Sequence, residues 1–426
     1  MNVHSKQEIL NILEKYNFWG DQVIDCGYPR DAYLKQLQGY LDNALVKVIL
    51  GQRRSGKSRI MRMMIHHLIT VRKIHPHNII YINKELHDFN FINTAQSLID
   101  TLQIYRDSKH PVGKVYLFLD EVQEINGWET VINSLSQDYR VVTEVFISGS
   151  NANLLSSEMA TYLSGRYLTI TVFPFGYEEY LHVVQLPRNK ASVLQYLLDG
   201  GMPELYQLSS LEAKQNYVQS LLDSIVLRDI VQRNKIRDVF LLEKIIQFTI
   251  DSIGSMVSIP SIIKSMQALR YKSNAETLGN YLAFCQNAYF IHECPRYDLR
   301  GKQILTGERK FYLNDLAFRT YCRSGFDTGI SRLLENAVYL SLLRQGYTVY
   351  VGRHYHQEID FIAEKGNEKL YVQVAYHLSD DAVIDREFGN FRLIQDNYPK
   401  WVVSLDEVHL GNREGILHKQ LWDVLA

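Results

Sequence analysis

Gly51-Gln-Arg-Arg-Ser-Gly-Lys-Ser58 is the stretch that decides the fold. It fits G-x-x-x-x-G-K-[ST], a loop whose backbone N–H groups surround phosphate oxygens. Upstream, Leu45-Val-Lys-Val-Ile-Leu50 reads as a buried strand, and residues 59–68 downstream read as a helix. Strand, glycine loop and helix, in that order, are the context this pattern needs. Gly51 and Gly56 allow a tight turn with N–H groups pointing inward, and the helix N-terminus adds partial positive charge. Lys57 is expected to reach the β- and γ-phosphates, and Ser58 to hold Mg2+ through its hydroxyl. Arg54, Ser55 and Arg59, inside and just after the loop, count with them as candidate nucleotide contacts.

Working outward, a chain of 426 residues suggests roughly two to four domains. A net charge of −1 exerts no overall pull toward nucleic acid or an acidic membrane, so any such binding must come from a local patch. The first residues are polar, with no apolar signal core, and no apolar run approaches the roughly 18 residues of a membrane span. Cys26, Cys285, Cys294 and Cys322 lack metal-ligand spacing and read as reduced thiols. The expectation is a cytoplasmic protein with no membrane partner.

Before the loop, residues 6–16 form an amphipathic helical pattern, and Asp31 is placed to cap a second helix running to about Leu41. After it come strand patterns at 78–83, 115–119, 144–148 and 168–172, with helical patterns between them. Such alternation predicts a parallel sheet. The strand at 115–119 runs straight into Asp120-Glu121. Asp120 is the expected metal-organising carboxylate and Glu121 the group that orients or deprotonates the attacking water. One further strand between loop and carboxylates implies the sheet order 5-1-4-3-2. Ser148 or Asn151, at the end of the fourth strand, is the candidate polar sensor of the γ-phosphate. Arg166, entering the fifth strand, is a candidate catalytic arginine, since a guanidinium can neutralise γ-phosphate charge.

The motifs at 51–58, 115–121, 147–151 and 163–175 together resemble a large prokaryotic group of AAA-type ATP-binding proteins whose C-terminal domain has no known function. Gly200-Gly-Met-Pro-Glu204, Tyr312-Leu-Asn-Asp315 and Glu358-Ile-Asp-Phe361 extend the likeness over essentially the whole chain. The resemblance implies a P-loop ATPase core over residues 1–180 and a small helical lid over 181–240. Arg228 is a lid arginine with the potential to face the nucleotide.

Residues 241–325 read as three helices followed by two strands, at 289–292 and 310–313, with Tyr297-Asp-Leu-Arg-Gly-Lys302 between them. That is the pattern of a winged helix. From residue 256 to 315 there are eight Lys/Arg against five Asp/Glu, and Arg296, Arg300, Lys302, Arg309 and Lys310 fall in the wing. The third helix carries Glu276 and no Lys or Arg. Nonspecific phosphate contact is therefore compatible with this segment, and base-specific readout is not.

Residues 326–426 read as an α/β restriction-endonuclease-like domain: Glu335 on an apolar helix, Asp360 in a strand, then a strand at 369–375. Hydrolysis on this skeleton needs two or three carboxylates on a divalent metal and a lysine that positions water. Gln373 stands where the second acid belongs and Ala375 where the lysine belongs. Lys369 lies on the wrong part of the strand, and His354 and His356 read as surface histidines. The domain is expected to be inactive as a nuclease.

The fold expectation is thus an α/β P-loop NTPase core with helical lid, winged helix and nuclease-like domain. The functional expectation is Mg2+-dependent ATP binding and hydrolysis that drives a conformational switch or the remodelling of a partner, either nonspecific DNA or a protein. An oligomer in which a neighbour supplies Arg166 is compatible with this. A metal-dependent nuclease and a nucleotide-binding scaffold with little turnover are the competing functions.

Overall fold

β1 (Val46–Leu50), β2 (Ile79–Asn83), β3 (Val115–Asp120), β4 (Thr143–Gly149) and β5 (Tyr167–Thr171) form one parallel sheet in the order β2-β3-β4-β1-β5. Read from the other edge this is the expected 5-1-4-3-2. The computed structural model describes residues 5–20, 23–138, 140, 142–155, 163, 165–323, 329–355, 357–392 and 394–425. Residues 1–172 make one unit and residues 173–426 a second.

In the first unit, β1, β3 and β4 are buried along their whole length, so they read as largely apolar rather than alternating runs, and the one charge inside β1, Lys47, is matched at 2.6 Å by Glu144 of β4. Helix α1 (Lys6–Tyr16) opens on a capping box between Ser5 and Glu8. Helix α2 spans Asp31–Gln38, so Asp31 is its first helical residue rather than its cap, and it stops short of Leu41. Helix α3 (Lys57–Thr70) follows the glycine loop and buries Ile60, Met61, Met64, Ile65 and Leu68 against the sheet. Asn17 and Trp19, just after α1, cover the open edge of β2. Asn17 accepts from the Tyr81 N–H at 2.6 Å and donates to the Tyr81 carbonyl at 3.1 Å, and the Trp19 indole donates to the Ile79 carbonyl at 2.7 Å. Two side chains thus do for this edge what another strand would do.

Register fixes what sits together. Leu50 pairs with Gly149 and Thr171, and Asn83 with Asp120. The glycine loop after β1, the carboxylates closing β3 and the serine near the end of β4 therefore share the C-terminal edge of the sheet, where α/β sheets place ligands.

The second unit begins with α4 (Tyr177–Val184), α5 (Lys190–Asp199) and α6 (Leu211–Ser224), the last running into a π-helical segment over Ile225–Gln232 in which Arg228 is exposed. Then come α7 (Val239–Asp251), α8 (Ile259–Ala268) and α9 (Ala275–Asn287), followed by the hairpin β6 (Ile291–Asp298) and β7 (Gln303–Leu313). The hairpin is longer than the sequence suggests and does not stand apart. β6 pairs in parallel with β8 (Thr348–His354), from Arg296↔Val351 to Asp298↔Arg353. It thereby joins an eight-stranded sheet with β9 (Gln357–Lys365), β10 (Glu368–Val374), β11 (Lys400–Ser404), β12 (Asn412–Arg413) and β13 (Ile416–Gln420). Helices α10 (Ala317–Cys322) and α11 (Ile330–Arg344) link the hairpin to β8. One apolar core runs from Phe173 to Leu425. The expected boundaries at 180/181 and 240/241 fall inside this one unit, and the one at 325/326 lies outside the described residues.

Candidate functional site

The loop after β1 depends on two glycines. Gly51 has φ +149°, and a Cβ there would lie 2.2 Å from the Val172 carbonyl oxygen; Gly56, at φ +97°, precedes α3. No other residue fits both demands at Gly51. The Ser55 hydroxyl is buried with no hydrogen-bond partner among the described residues. The first-turn N–H groups of α3 have no partner within the helix. Glycine cradle, orphan hydroxyl and helix terminus make a set of donors suited to an oxyanion such as phosphate.

Lys57 is buried, and its ammonium donates to the carbonyls of Gly51 at 3.0 Å and Gln52 at 3.1 Å. It also lies 3.5 Å from Glu121 Oε1. Asp120 is fully buried. It accepts from the Tyr81 hydroxyl at 2.9 Å and from the hydroxyls of Ser148 and Ser58. Burial raises its pKa, the Glu121 charge adds to that, and the three hydroxyl donors oppose it. Glu121 adopts a left-handed backbone, φ +55°, which turns its side chain back toward Lys57. Burial pushes its carboxyl up, but the Lys57 charge and donors from Gln123 and Ser150 outweigh this and hold it below the ordinary value. The Ser58 hydroxyl and Asp120 carboxylate are hard oxygen donors of the kind Mg2+ takes, with room left for phosphate oxygens and water to complete its shell. The residues therefore fit a Mg2+–nucleotide.

The structure brings together Gly51, Ser55, Gly56, Lys57, Ser58, Asp120, Glu121 and Ser148. Ser148 has a narrower place than a sensor needs: its hydroxyl donates to Asp120 and accepts from the Glu121 N–H at 3.0 Å. Asn151 is buried, with its amide nitrogen unpartnered among the described residues, and is the polar group left available at that strand end. Arg54 is exposed at φ +66°. Arg59 is turned away from the loop, onto Asp25 of the segment before α2. Arg166 needs a correction as a catalytic group for its own loop. It is exposed at the start of β5, and its carbonyl accepts from the Val46 N–H at 3.0 Å. In a parallel sheet that is the opposite end from Gly51, about 16 Å away at roughly 3.3 Å per residue. Sequence reading missed Arg30: it is buried, stacks 4.5 Å from the Tyr33 ring centroid and donates to the Ser55 carbonyl at 2.8 Å. An arginine placed directly before a helix, after Gly-Tyr-Pro, carries no local signal of that contact.

In the second unit Lys369 pairs with Glu364 at 2.8 Å, away from Asp360. The His354 ring has a buried Nδ1 with no hydrogen-bond partner among the described residues, and His356 lies outside the described residues. A Ser–His–Asp set occurs here that the sequence does not advertise. Ser404 Oγ lies 2.9 Å from His418 Nε2 and 2.8 Å from Asp406 Oδ2. It is not a nucleophile. The Leu410 N–H donates to His418 Nδ1 at 3.0 Å, so the neutral ring carries its proton on Nε2 and gives it to the serine instead of accepting one.

Residues 43–181 match the family model described as an AAA domain, and residues 190–329 match a domain of unknown function, DUF8612. A Walker-type ATPase of Pyrococcus abyssi has a similar structure at TM-score 0.44 and 14% identity, over 69% of this chain and 95% of that one. An uncharacterized protein of Haemophilus influenzae is 34% identical over 379 residues, 88% of this chain and 92% of the relative. One of Methanocaldococcus jannaschii is 30% identical over 352 residues, 79% and 75% of the two chains. The chain therefore belongs to one family with these two uncharacterized proteins, and it carries an AAA domain over residues 43–181.

Proposed function

We propose that the chain binds ATP at residues 51–58 and hydrolyses it to ADP and phosphate. The observation that carries this reading is the meeting of Lys57, Ser58, Asp120 and Glu121 at one edge of the sheet, with Lys57 3.5 Å from Glu121. The loop N–H groups, the Ser55 hydroxyl and the α3 terminus bind the phosphates. Lys57 exchanges its loop carbonyls for β- and γ-phosphate oxygens. Mg2+, held by Ser58 and Asp120, would neutralise charge on those oxygens. Glu121 is ionised at neutral pH, orients a water in line with the γ-phosphorus and takes up its proton as the β–γ bridge breaks. Asn151 Nδ2 contacts the γ-phosphate. The exposure of Arg166 supports a role on the nucleotide of a second copy rather than its own. The nucleotide state acts as a switch on a DNA or protein partner.

The test is Mg2+-dependent phosphate release from ATP by the native chain, Lys57→Ala and Asn151→Ala, each with and without duplex DNA. Release lost in Lys57→Ala, with ATP binding weakened, is expected. A native chain that neither binds ATP nor releases phosphate under any of these conditions overturns the reading. ATP binding without turnover leaves the scaffold function standing instead.

A further inference from the structure

The second unit gathers three carboxylates from two elements around one point. Glu335 comes from α11, and Glu358 and Asp360 come from alternate positions of β9, hence one face of the sheet. A nuclease-like skeleton would place a divalent metal among such groups. With Lys310 in place the residues present do not fit one. Gln373 uses its side-chain oxygen to accept the Asp360 N–H at 3.3 Å, and Asp360 Oδ2 is taken by the Val374 N–H at 2.8 Å. Among the described residues no three His, Cys, Asp or Glu side chains are arranged to share a metal ion.

What stands among the carboxylates is Lys310, from β7. Its Nζ lies 2.8 Å from Glu335 Oε1, 2.8 Å from Glu358 Oε1 and 3.8 Å from Asp360 Oδ1, with the side chain only 4% exposed. The Tyr312 hydroxyl donates to the same Glu335 oxygen at 2.5 Å. An ammonium has three donors and no acceptor, and here it lies among three carboxyl groups, of which Asp360 is pushed above the usual carboxylate range by burial and by the Glu335 charge, against the opposing pull of Lys310.

We propose that Lys310 is a resident cation: its ammonium holds the position a divalent metal would occupy between Glu335, Glu358 and Asp360, and so makes this site metal-free and hydrolytically silent. Burial works against the charge on Lys310, but Glu335, Asp360 and Glu358 outweigh it and push its pKa above the ordinary lysine value. The ammonium therefore persists across the physiological range. Because Lys310 belongs to the hairpin while its partners belong to α11 and β9, the same contact fastens the hairpin to the C-terminal sheet without any metal.

The experiment measures Mn2+ binding by the full chain without nucleotide, by calorimetry and by the Mn2+ dependence of thermal unfolding. It compares the native chain, Asp360→Asn, Lys310→Met and the double variant. The native chain and Asp360→Asn are expected to respond to Mn2+ alike, any common response belonging elsewhere. Lys310→Met is expected to gain Mn2+ affinity by about tenfold or more, with a melting temperature that rises with Mn2+ as mass action requires. The double variant loses that gain. A native Mn2+ site that Asp360→Asn abolishes overturns the proposal, as does a folded Lys310→Met with no gain. If Lys310→Met fails to fold, the native and Asp360→Asn comparison still decides.

Discussion

Replacing Glu121 by Gln removes one charge from its pair with Lys57 while keeping the side chain's shape. At 3.5 Å and an effective dielectric of about 20, the gross attraction is about 5 kcal/mol. Both side chains are buried, 4% and 8% exposed, so solvent does little to screen it. Not all of this is released, because the Gly51 and Gln52 carbonyls still hold the ammonium at 3.0 and 3.1 Å. On the proposed binding mode, Glu121 and the incoming γ-phosphate compete for one lysine. Even if only about a third of the gross term survives, Glu121→Gln binds ATP about tenfold tighter. The same substitution removes the proposed proton acceptor and is expected to lower turnover by about 10²–10⁴. Calorimetric titration with ATP and Mg2+, beside phosphate release at saturating ATP, reads both. Affinity no higher than native refutes the competition argument, and turnover above about a tenth of native refutes the proton-acceptor role.

Gly51→Ala puts a methyl 2.2 Å from the Val172 carbonyl at a backbone angle that side chains rarely adopt; a strain of about 1–3 kcal/mol should weaken ATP binding at least tenfold with circular dichroism unchanged. Arg30→Met leaves the Ser55 carbonyl without its charged donor, which should cost about 2 kcal/mol of stability and lower ATP affinity, checked by chemical denaturation and titration. Burial holds His292 neutral, its pKa falling from 6.5 to about 4. A folded pKa below the unfolded one means that its stabilising contribution is complete above about pH 6.5 and is lost as pH falls toward 4. Between about pH 7.5 and pH 5 the native chain should therefore lose about 2 kcal/mol relative to His292→Gln; a difference that stays flat over that range counts against it.

The parallel sheet is legible because its information is local. Each strand is a short apolar run, and the glycine loop and the paired acids mark which strand ends carry chemistry. What the string cannot carry is direction across the fold. Arg59 sits one residue from Ser58, yet α3 turns it onto Asp25. Arg166 sits before an apolar strand as Gly51 sits after one, and the register with Val46 sends the two to opposite ends. Lys310 reads as one of five wing cations. Its meeting with Glu335, Glu358 and Asp360 depends on the parallel pairing of β6 with β8, a contact between residues some fifty positions apart that no periodicity announces.

The clamp of Asn17 and Trp19 on β2 also bears on the history of the chain as it leaves the ribosome. The outermost strand of the first sheet is shielded by residues synthesised some sixty positions before it. The cover is thus already present when the sticky backbone appears. A fragment starting after residue 20 would contain every group proposed to touch ATP and would still expose the bare carbonyl of Ile79 and the N–H and carbonyl of Tyr81. Self-association through that strand is its expected fate, so loss of activity in such a fragment would speak to solubility rather than to chemistry.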